Sequence, residues 1–253
     1  MPKDNSPIRA ETDKIEIKAC AFCLENALIR DYQLLAHGAS FYLCAPRGQL
    51  TEGYLAIAPY RCIGSLSQLP AQSFSELAQL KRIVEDFYRA AYHVVQPTFY
   101  EQGRAGGGAV IDEVGGFPLH AHLCCMPTRL DLHTVLAQQY VRRNLSGAQE
   151  LPEATHSEPY VYVEGLDASG SYRRSAYVAH SHETRAELEH MRLKPMIARL
   201  MGLPGRGDWR LYPGDWELQQ VVMKFGAHKA PFGPDCQQEM LPPAEGGSGE
   251  HDD

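Results

Sequence analysis

The sequence has no long hydrophobic run and no excess of basic residues. No apolar stretch in its 253 residues approaches the roughly 18–20 residues that a membrane span needs, so no membrane association is expected. Lys and Arg number 24 against 31 Asp and Glu, which gives a net charge of −7. This balance argues against broad, nonspecific DNA binding, but it leaves room for a small anion in a local pocket.

The first residues, MPKDNSPIRAETDKIEIK, are polar and mixed in charge and have no signal-peptide pattern. We therefore expect a cytoplasmic protein, or a nuclear one if the source is eukaryotic. Seven cysteines in such a chain should be reduced, and are better interpreted as metal ligands or core residues than as disulfides.

The order of strand-like and helix-like segments predicts an α+β fold with an antiparallel sheet. After Pro70 the apolar period changes from two residues to three or four, which indicates a helix near 71–94 packed through its apolar face. Further helices are expected over 130–145 and 183–201, and a hairpin between them from Tyr160. Strands are expected near 40–45, 53–59, 97–102 and 119–126.

Composition divides the chain into five segments. A polar lead at 1–18 and a tail at 236–253 have the composition of flexible or disordered chain. A Pro-, Ser- and Glu-rich linker at 146–158 separates a domain at 19–145 from a smaller C-terminal region at 159–235.

A C-x₂-C pair, Cys20 and Cys23, can share one Zn²⁺ from a tight turn. The alternative is a chance pair of small core residues. Cys62 and His120 are the best candidates for two further ligands, although Cys44, Cys124 and Cys125 compete with them on spacing alone. A Cys₃His set would suit tetrahedral zinc and would leave no open position, so the metal would be structural.

His120 and His122 alternate with apolar residues, which predicts a strand with both imidazoles on one face. If His120 binds metal, His122 is free to attack phosphorus, and the Gly-rich segments 103–108 and 115–116 offer backbone N–H groups to phosphate. The alternative is that the pair is structural or metal-binding. A second pair, His180 and His182, is interpreted as part of a helix start capped by Ser181.

Three stretches resemble the histidine-triad (HIT) superfamily. HAHLCCMP is similar to its signature, EGYLAIAPYRCIGSLSQL to the segment before its long helix, and CAFCLEN to the C-x₂-C of its zinc-bearing members. The resemblance is strongest to CwfJ-like proteins and extends over roughly residues 19–233, with PYVYVEGL and the segment after residue 199 similar to their second C-terminal domain.

The resemblance implies a HIT-like antiparallel sheet with packed helices, followed by a smaller C-terminal α+β extension. It implies that His122 forms a covalent nucleotidyl-histidine in a nucleotide hydrolase or nucleotidyltransferase, acting on a nucleotide or a nucleotidylated small molecule. It also implies one structural Zn²⁺; its ligands would be Cys20, Cys23, Cys62 and His120.

Cys124 occupies the third triad position, and Gln102 is a candidate to orient His122 or to bind a ribose hydroxyl, as is its neighbour Glu101. The chain departs from the family at Cys124, at Cys44 in place of a ribose-binding acid, and at Phe117 in place of a polar residue.

Two other functions compete with this interpretation. CwfJ-like relatives are linked to spliceosomes and branched-RNA turnover, so the alternative is a noncatalytic RNA- or protein-binding factor. The other is a tailoring enzyme for an unusual nucleotidylated metabolite. The sequence does not specify the oligomeric state, and a homodimer is compatible with it.

Overall fold

A computed structural model describes residues 20–26, 28–104 and 120–229. The predicted lead and tail segments, and most of the Gly-rich segments together with Phe117, lie outside these residues. Within the described residues, no helix combines the length and apolar character needed to cross a membrane.

The strands form one antiparallel sheet of eight, which confirms the predicted α+β class. In chain order they are β1 Leu34–His37, β2 Phe41–Cys44, β3 Leu55–Pro59, β4 Thr98–Gly103, β5 Leu123–Met126, β6 Val141–Asn144, β7 Tyr160–Leu166 and β8 Tyr172–Val178. Their order across the sheet is β1-β2-β3-β5-β4-β7-β8-β6. Strand β5 therefore lies inside the sheet, between β3 and β4. The two predicted site histidines come directly before it in the chain.

Six α-helices cover the two faces of the sheet within the described residues. They are α1 Ser73–Tyr92, α2 Leu132–Ala137, α3 Leu151–Thr155, α4 His182–His190, α5 Leu193–Leu200 and α6 Asp215–Lys229. Helix α1 confirms the prediction for 71–94 and buries Leu77, Leu80, Val84 and Phe87 in the main core. Phe87 meets Phe225 of α6 edge-on, with 4.9 Å between the ring centroids, so α6 packs over α1. A second core, on the opposite face, packs beneath α2 and α5.

The predicted helix over 130–145 is wrong in its second half. Helix α2 ends at Ala137, and Val141–Asn144 forms the edge strand β6, which pairs with β8 from Val141 opposite Val178. The backbone hydrogen bonds offered by β8 outweigh the local helical pattern, because strand formation depends on a partner that the local sequence does not reveal.

The predicted single helix over 183–201 is also wrong, since the structure has two helices there, α4 and α5, with a helix break between them. Pro195 lies in the first turn of α5, where its missing N–H costs nothing. Inside a continuous helix the same proline would leave the carbonyl of Met191 without its intrahelical donor. The break frees that carbonyl for other contacts.

The predicted linker contains a helix, α3, whose Leu151 is fully buried. Beyond it, β7 pairs with β4 along five residues from Phe99 opposite Glu164 to Gly103 opposite Tyr160. One sheet therefore continues across the segment 146–158, while the division of the chain into domains stays a prediction.

Candidate metal centre and the neighbouring histidine

Four predicted metal ligands, Cys20, Cys23, Cys62 and His120, lie together. Their ligand atoms are all within 4.8 Å of one another. The turn that carries the two N-terminal cysteines is closed by Asn26, whose backbone N–H donates to Cys23 O at 3.0 Å and whose side chain donates to Cys20 O at 2.9 Å. The cluster thus joins three segments that are far apart in the chain.

Two of the donor-atom distances match those around a tetrahedral zinc ion. Zn–S bonds of about 2.3 Å and a Zn–N bond of about 2.05 Å at tetrahedral angles put sulfur and nitrogen about 3.6 Å apart. His120 Nδ1 lies 3.4 Å from Cys20 Sγ and 3.7 Å from Cys23 Sγ. Three thiolates and one imidazole are a closed ligand set of the kind found in structural zinc sites.

The other ring nitrogen of His120 fixes which atom faces the cluster. Nε2 lies 2.8 Å from the carbonyl oxygen of Pro59, the last residue of β3. A carbonyl only accepts, so Nε2 carries the proton and Nδ1 presents its lone pair to the cysteines. This backbone partner is the usual second contact of a metal-binding histidine.

The cysteines differ in how readily they ionise. Burial opposes ionisation of Cys20, but its contact with the His120 side chain and a hydrogen bond from the backbone of Phe22 lower the pKa of its thiol to about 6. Burial raises the pKa of Cys23, and the neighbouring Cys20 and Cys62 raise it further. Three thiolates in this space repel one another, so a divalent cation is the natural counter-charge.

His122 lies beside this cluster on the same face of the chain as His120. Its Nδ1 donates to the backbone oxygen of His120 at 2.8 Å. The ring of Phe22, the second of the two residues between Cys20 and Cys23, stacks on the His122 imidazole at 4.2 Å and 19°, and lies 5.9 Å from that of His120. Burial lowers the pKa of His122.

The two other predicted catalytic residues have protein partners of their own. The buried Cys124 thiol is hydrogen-bonded to the Tyr54 hydroxyl at 3.0 Å. Gln102 Nε2 donates to the freed carbonyl of Met191 at 2.7 Å. Their catalytic roles stay predictions, and in this structure both side chains serve packing between the sheet and α4–α5.

Glu101 faces away from Gln102, because successive residues of a strand alternate between faces. It is buried, and its carboxylate accepts from the Leu66 backbone N–H and the Tyr160 hydroxyl, both at 2.6 Å. Burial raises its pKa to about 7. Glu101 thus holds the loop that follows Cys62 onto the sheet.

Sequence reasoning missed Lys194, the second residue of α5. Its Nζ lies 5.2 Å from the centroid of the Tyr54 ring, and among the described residues no carboxylate lies within 4.0 Å of it. Burial lowers its pKa to about 8, against the opposing effects of Cys124 and Asp208. Only the break before α5 brings this lysine to the site, and no local pattern predicts where it lies.

The remaining candidates are outside the cluster. Cys44 and Cys125 are fully buried in separate core groups. Ser181 caps α4 as predicted, since its hydroxyl accepts from the Thr184 N–H at 3.2 Å.

The comparisons with known proteins agree with part of the resemblance. The family model described as "Protein similar to CwfJ C-terminal" matches residues 9–105. A curated protein of Arabidopsis thaliana, zinc finger CCCH domain-containing protein 64, is 22% identical over 205 residues, which is 76% of this chain and 32% of that protein. The chain therefore spans about a third of the length of this relative. The matched family region contains Cys20, Cys23 and Cys62 but ends before His120.

The cluster predicts how metal content responds to a change of one ligand. Cys62→Ala should weaken zinc binding by more than the roughly 10–100-fold that loss of an outer-shell partner costs, and should lower the thermal midpoint, because metal binding contributes folding free energy. Metal analysis of the purified protein should give about one zinc per chain before the change. Cys44→Ala is the control, since it removes a buried thiol outside the cluster and should keep the metal. Equal zinc content in both variants would contradict the site.

Lys194 predicts a pH-dependent gain in stability on removal of its charge. Its folded-state pKa is lowered from 10.5 to about 8, so between these values the unfolded chain binds more protons, and wild-type stability rises with pH. Lys194→Met should therefore raise the free energy of unfolding by up to about 3 kcal/mol at pH 7, and the gain should fade as the pH rises through this window. Urea unfolding at several pH values measures it.

Lys224→Met is the matched control, because Lys224 is an exposed lysine with a carboxylate partner, Glu52. Its effect should be small and should show no such loss with rising pH. A Lys194→Met difference that stays constant from pH 7 to 10.5 would show that burial does not disfavour the ammonium.

Proposed function

We propose that this chain is a noncatalytic RNA-binding factor of the CwfJ type, with zinc in a structural role. The family match over residues 9–105 and the distant zinc finger protein support the type. The observation that carries the proposal is the packing of His122 beneath Phe22, directly above the Cys₃His cluster. In a eukaryotic cell such a factor would act in the nucleus.

In this proposal Cys20, Cys23, Cys62 and His120 hold the zinc, which supplies a rigid crosslink and no reactive position. The crosslink fixes the C-x₂-C turn on the sheet, and Phe22 is fixed with it. The His122 ring then fills the space under Phe22, and its hydrogen bond to His120 O ties it to the ligand strand. The imidazole thus acts as a packing group of the metal centre.

The positions that a triad enzyme uses support the same choice. A thiol is a poorer hydrogen-bond partner for phosphate oxygen than imidazole, and the Cys124 thiol already pairs with Tyr54. Gln102 is held by the α4–α5 junction. Among the described residues, the Cys124 thiol pairs with Tyr54 and the Gln102 amide with Met191, and neither is hydrogen-bonded to His122.

RNA is chosen over protein because the CwfJ-like proteins that this chain resembles are linked to spliceosomes and branched-RNA turnover. A net charge of −7 restricts RNA to local contacts and predicts a small number of phosphates neutralised.

Fluorescence anisotropy with a short, labelled, single-stranded oligouridylate tests the binding. We expect saturable binding that weakens as salt is raised, with a shallow slope on a log–log plot. His122→Ala should leave the affinity unchanged, because His122 packs against the metal centre in this proposal. Absence of saturable binding at low salt would contradict the RNA-binding function.

Nucleotidyl transfer at His122 is the second candidate, and one observation favours it. Because Nδ1 donates its proton to His120 O, Nε2 carries a lone pair. In this mechanism Nε2 attacks the α-phosphorus of a nucleotide, the bond to the leaving oxygen breaks with its electron pair, and water later attacks the nucleotidyl-histidine. The substrate would be a nucleotide or a nucleotidylated small molecule.

Intact-protein mass spectrometry after incubation with a set of nucleoside triphosphates separates the two candidates. Under the leading proposal the wild-type mass stays unchanged. A nucleotidyl adduct on the wild type that is absent from His122→Ala, with zinc content equal in both, would overturn it and establish the second candidate. Partial rescue of turnover in His122→Gly by added imidazole would add support for that mechanism.

A further inference from the structure

A cavity of about 380 Å³ lies away from the metal centre, between the short 3₁₀ turn Asp31–Gln33 and the first two turns of α6. Its volume is in the range of small-ligand sites. Arg30, Tyr32 and Arg47 line it from one side, and Asp215 and Gln219 from the other. Two guanidinium groups, an aromatic ring and an amide therefore face a common space.

The turn that carries this wall is rigid. Gln33 is buried, its side chain donates to Ala45 O at 2.8 Å and accepts from the Arg30 N–H at 2.9 Å, and its own N–H donates to Arg30 O at 2.8 Å. The backbone on both sides of Tyr32 is thus held in place. Tyr32 is nevertheless 58% exposed, so its ring presents an apolar face to solvent.

The positive charges in the cavity are weakly engaged. Arg30 has no carboxylate within 4.0 Å among the described residues. Arg47 Nη2 lies 3.3 and 3.5 Å from the two carboxylate oxygens of Asp215, in a pair whose side chains are 49% and 59% exposed. Such exposed pairs contribute little, and a phosphate can accept two hydrogen bonds from the same guanidinium.

We propose that this cavity binds single-stranded RNA, with a phosphate between Arg30 and Arg47 and a base stacked on Tyr32. The inference rests on the proposed function and names the surface that performs it. An aromatic ring beside guanidinium groups is the usual combination in sequence-tolerant single-strand binding. An acidic peptide would use the arginines but gain little from the ring, so Tyr32 favours RNA.

Asp215 opposes the ligand in this arrangement. Its carboxylate occupies Arg47 and repels an incoming phosphate, so its removal should strengthen binding. This expectation distinguishes a ligand site from a merely structural ion pair, whose loss would leave affinity unchanged.

The test measures the affinity of the full chain for labelled oligouridylate by anisotropy. Arg30→Glu should weaken binding about tenfold or more and reduce the salt slope by about one. Tyr32→Ala should weaken it about tenfold, in the range that loss of one stacking platform costs. Asp215→Asn should tighten it.

Arg89 and Asp86 on α1 supply the matched controls, since they form an exposed pair of the same kind, with side chains 56% and 62% exposed. Arg89→Glu and Asp86→Asn should leave the affinity unchanged apart from the small effect of net charge. Circular dichroism and zinc content check that each variant is folded.

The outcomes separate the cavity from the function. If the wild type binds RNA and the cavity variants bind it equally well, the assignment of RNA binding to this cavity is overturned and the proposed function stands. If the wild type does not bind, both fall. If polyglutamate displaces the RNA at equal concentration of charge and Tyr32→Ala has no effect, the cavity is an acidic-peptide site and the RNA assignment is overturned.

Discussion

The meeting of Cys20, Cys23, Cys62 and His120 is the constraint on which the rest of this site depends. Cys20 and His120 are 100 residues apart in the chain, yet their ligand atoms lie 3.4 Å apart. Without a bound cation, burial and the neighbouring thiols oppose ionisation of Cys23, so the cluster does not ionise fully. With a cation the four residues form a crosslink between the N-terminal turn, the end of β3 and the approach to β5.

If zinc occupies the cluster, the crosslink determines what His122 can do. It fixes the turn from which Phe22 projects, and Phe22 covers one face of the imidazole. The same strand geometry that places both histidines on one face therefore places His122 against the candidate metal site. A nucleophile and a packing group would share the His120 hydrogen bond, so the contacts at the far nitrogen, Nε2, distinguish these roles.

The break between α4 and α5 is the second junction of the molecule. Pro195 frees the carbonyl of Met191, which accepts from both Gln102 at 2.7 Å and Arg104 at 3.1 Å. The last strand before the Gly-rich segment is in this way tied to the C-terminal half of the chain. The same break brings Lys194 over Tyr54 and so adds a charge next to that ring. Because Pro195 has no N–H to donate to the Met191 carbonyl, that carbonyl can bind residues that are distant in the chain.

Local sequence patterns alone determined the α+β class, helix α1, the strands flanking it and the cap at Ser181, because apolar periodicity and capping chemistry act within a few residues. The C-x₂-C pair was likewise identified from its spacing alone as two candidate metal ligands. The choice of Cys62 over Cys44, Cys124 and Cys125 was supported by its place after a strand, but only strand pairing separated them, by burying the other three thiols in three core groups. Tertiary structure also decided that Val141–Asn144 is a strand, that Gln102 binds Met191, and that Lys194 reaches the sheet. Each of these depends on a partner distant in the chain, and neither periodicity nor spacing carries information about such a partner.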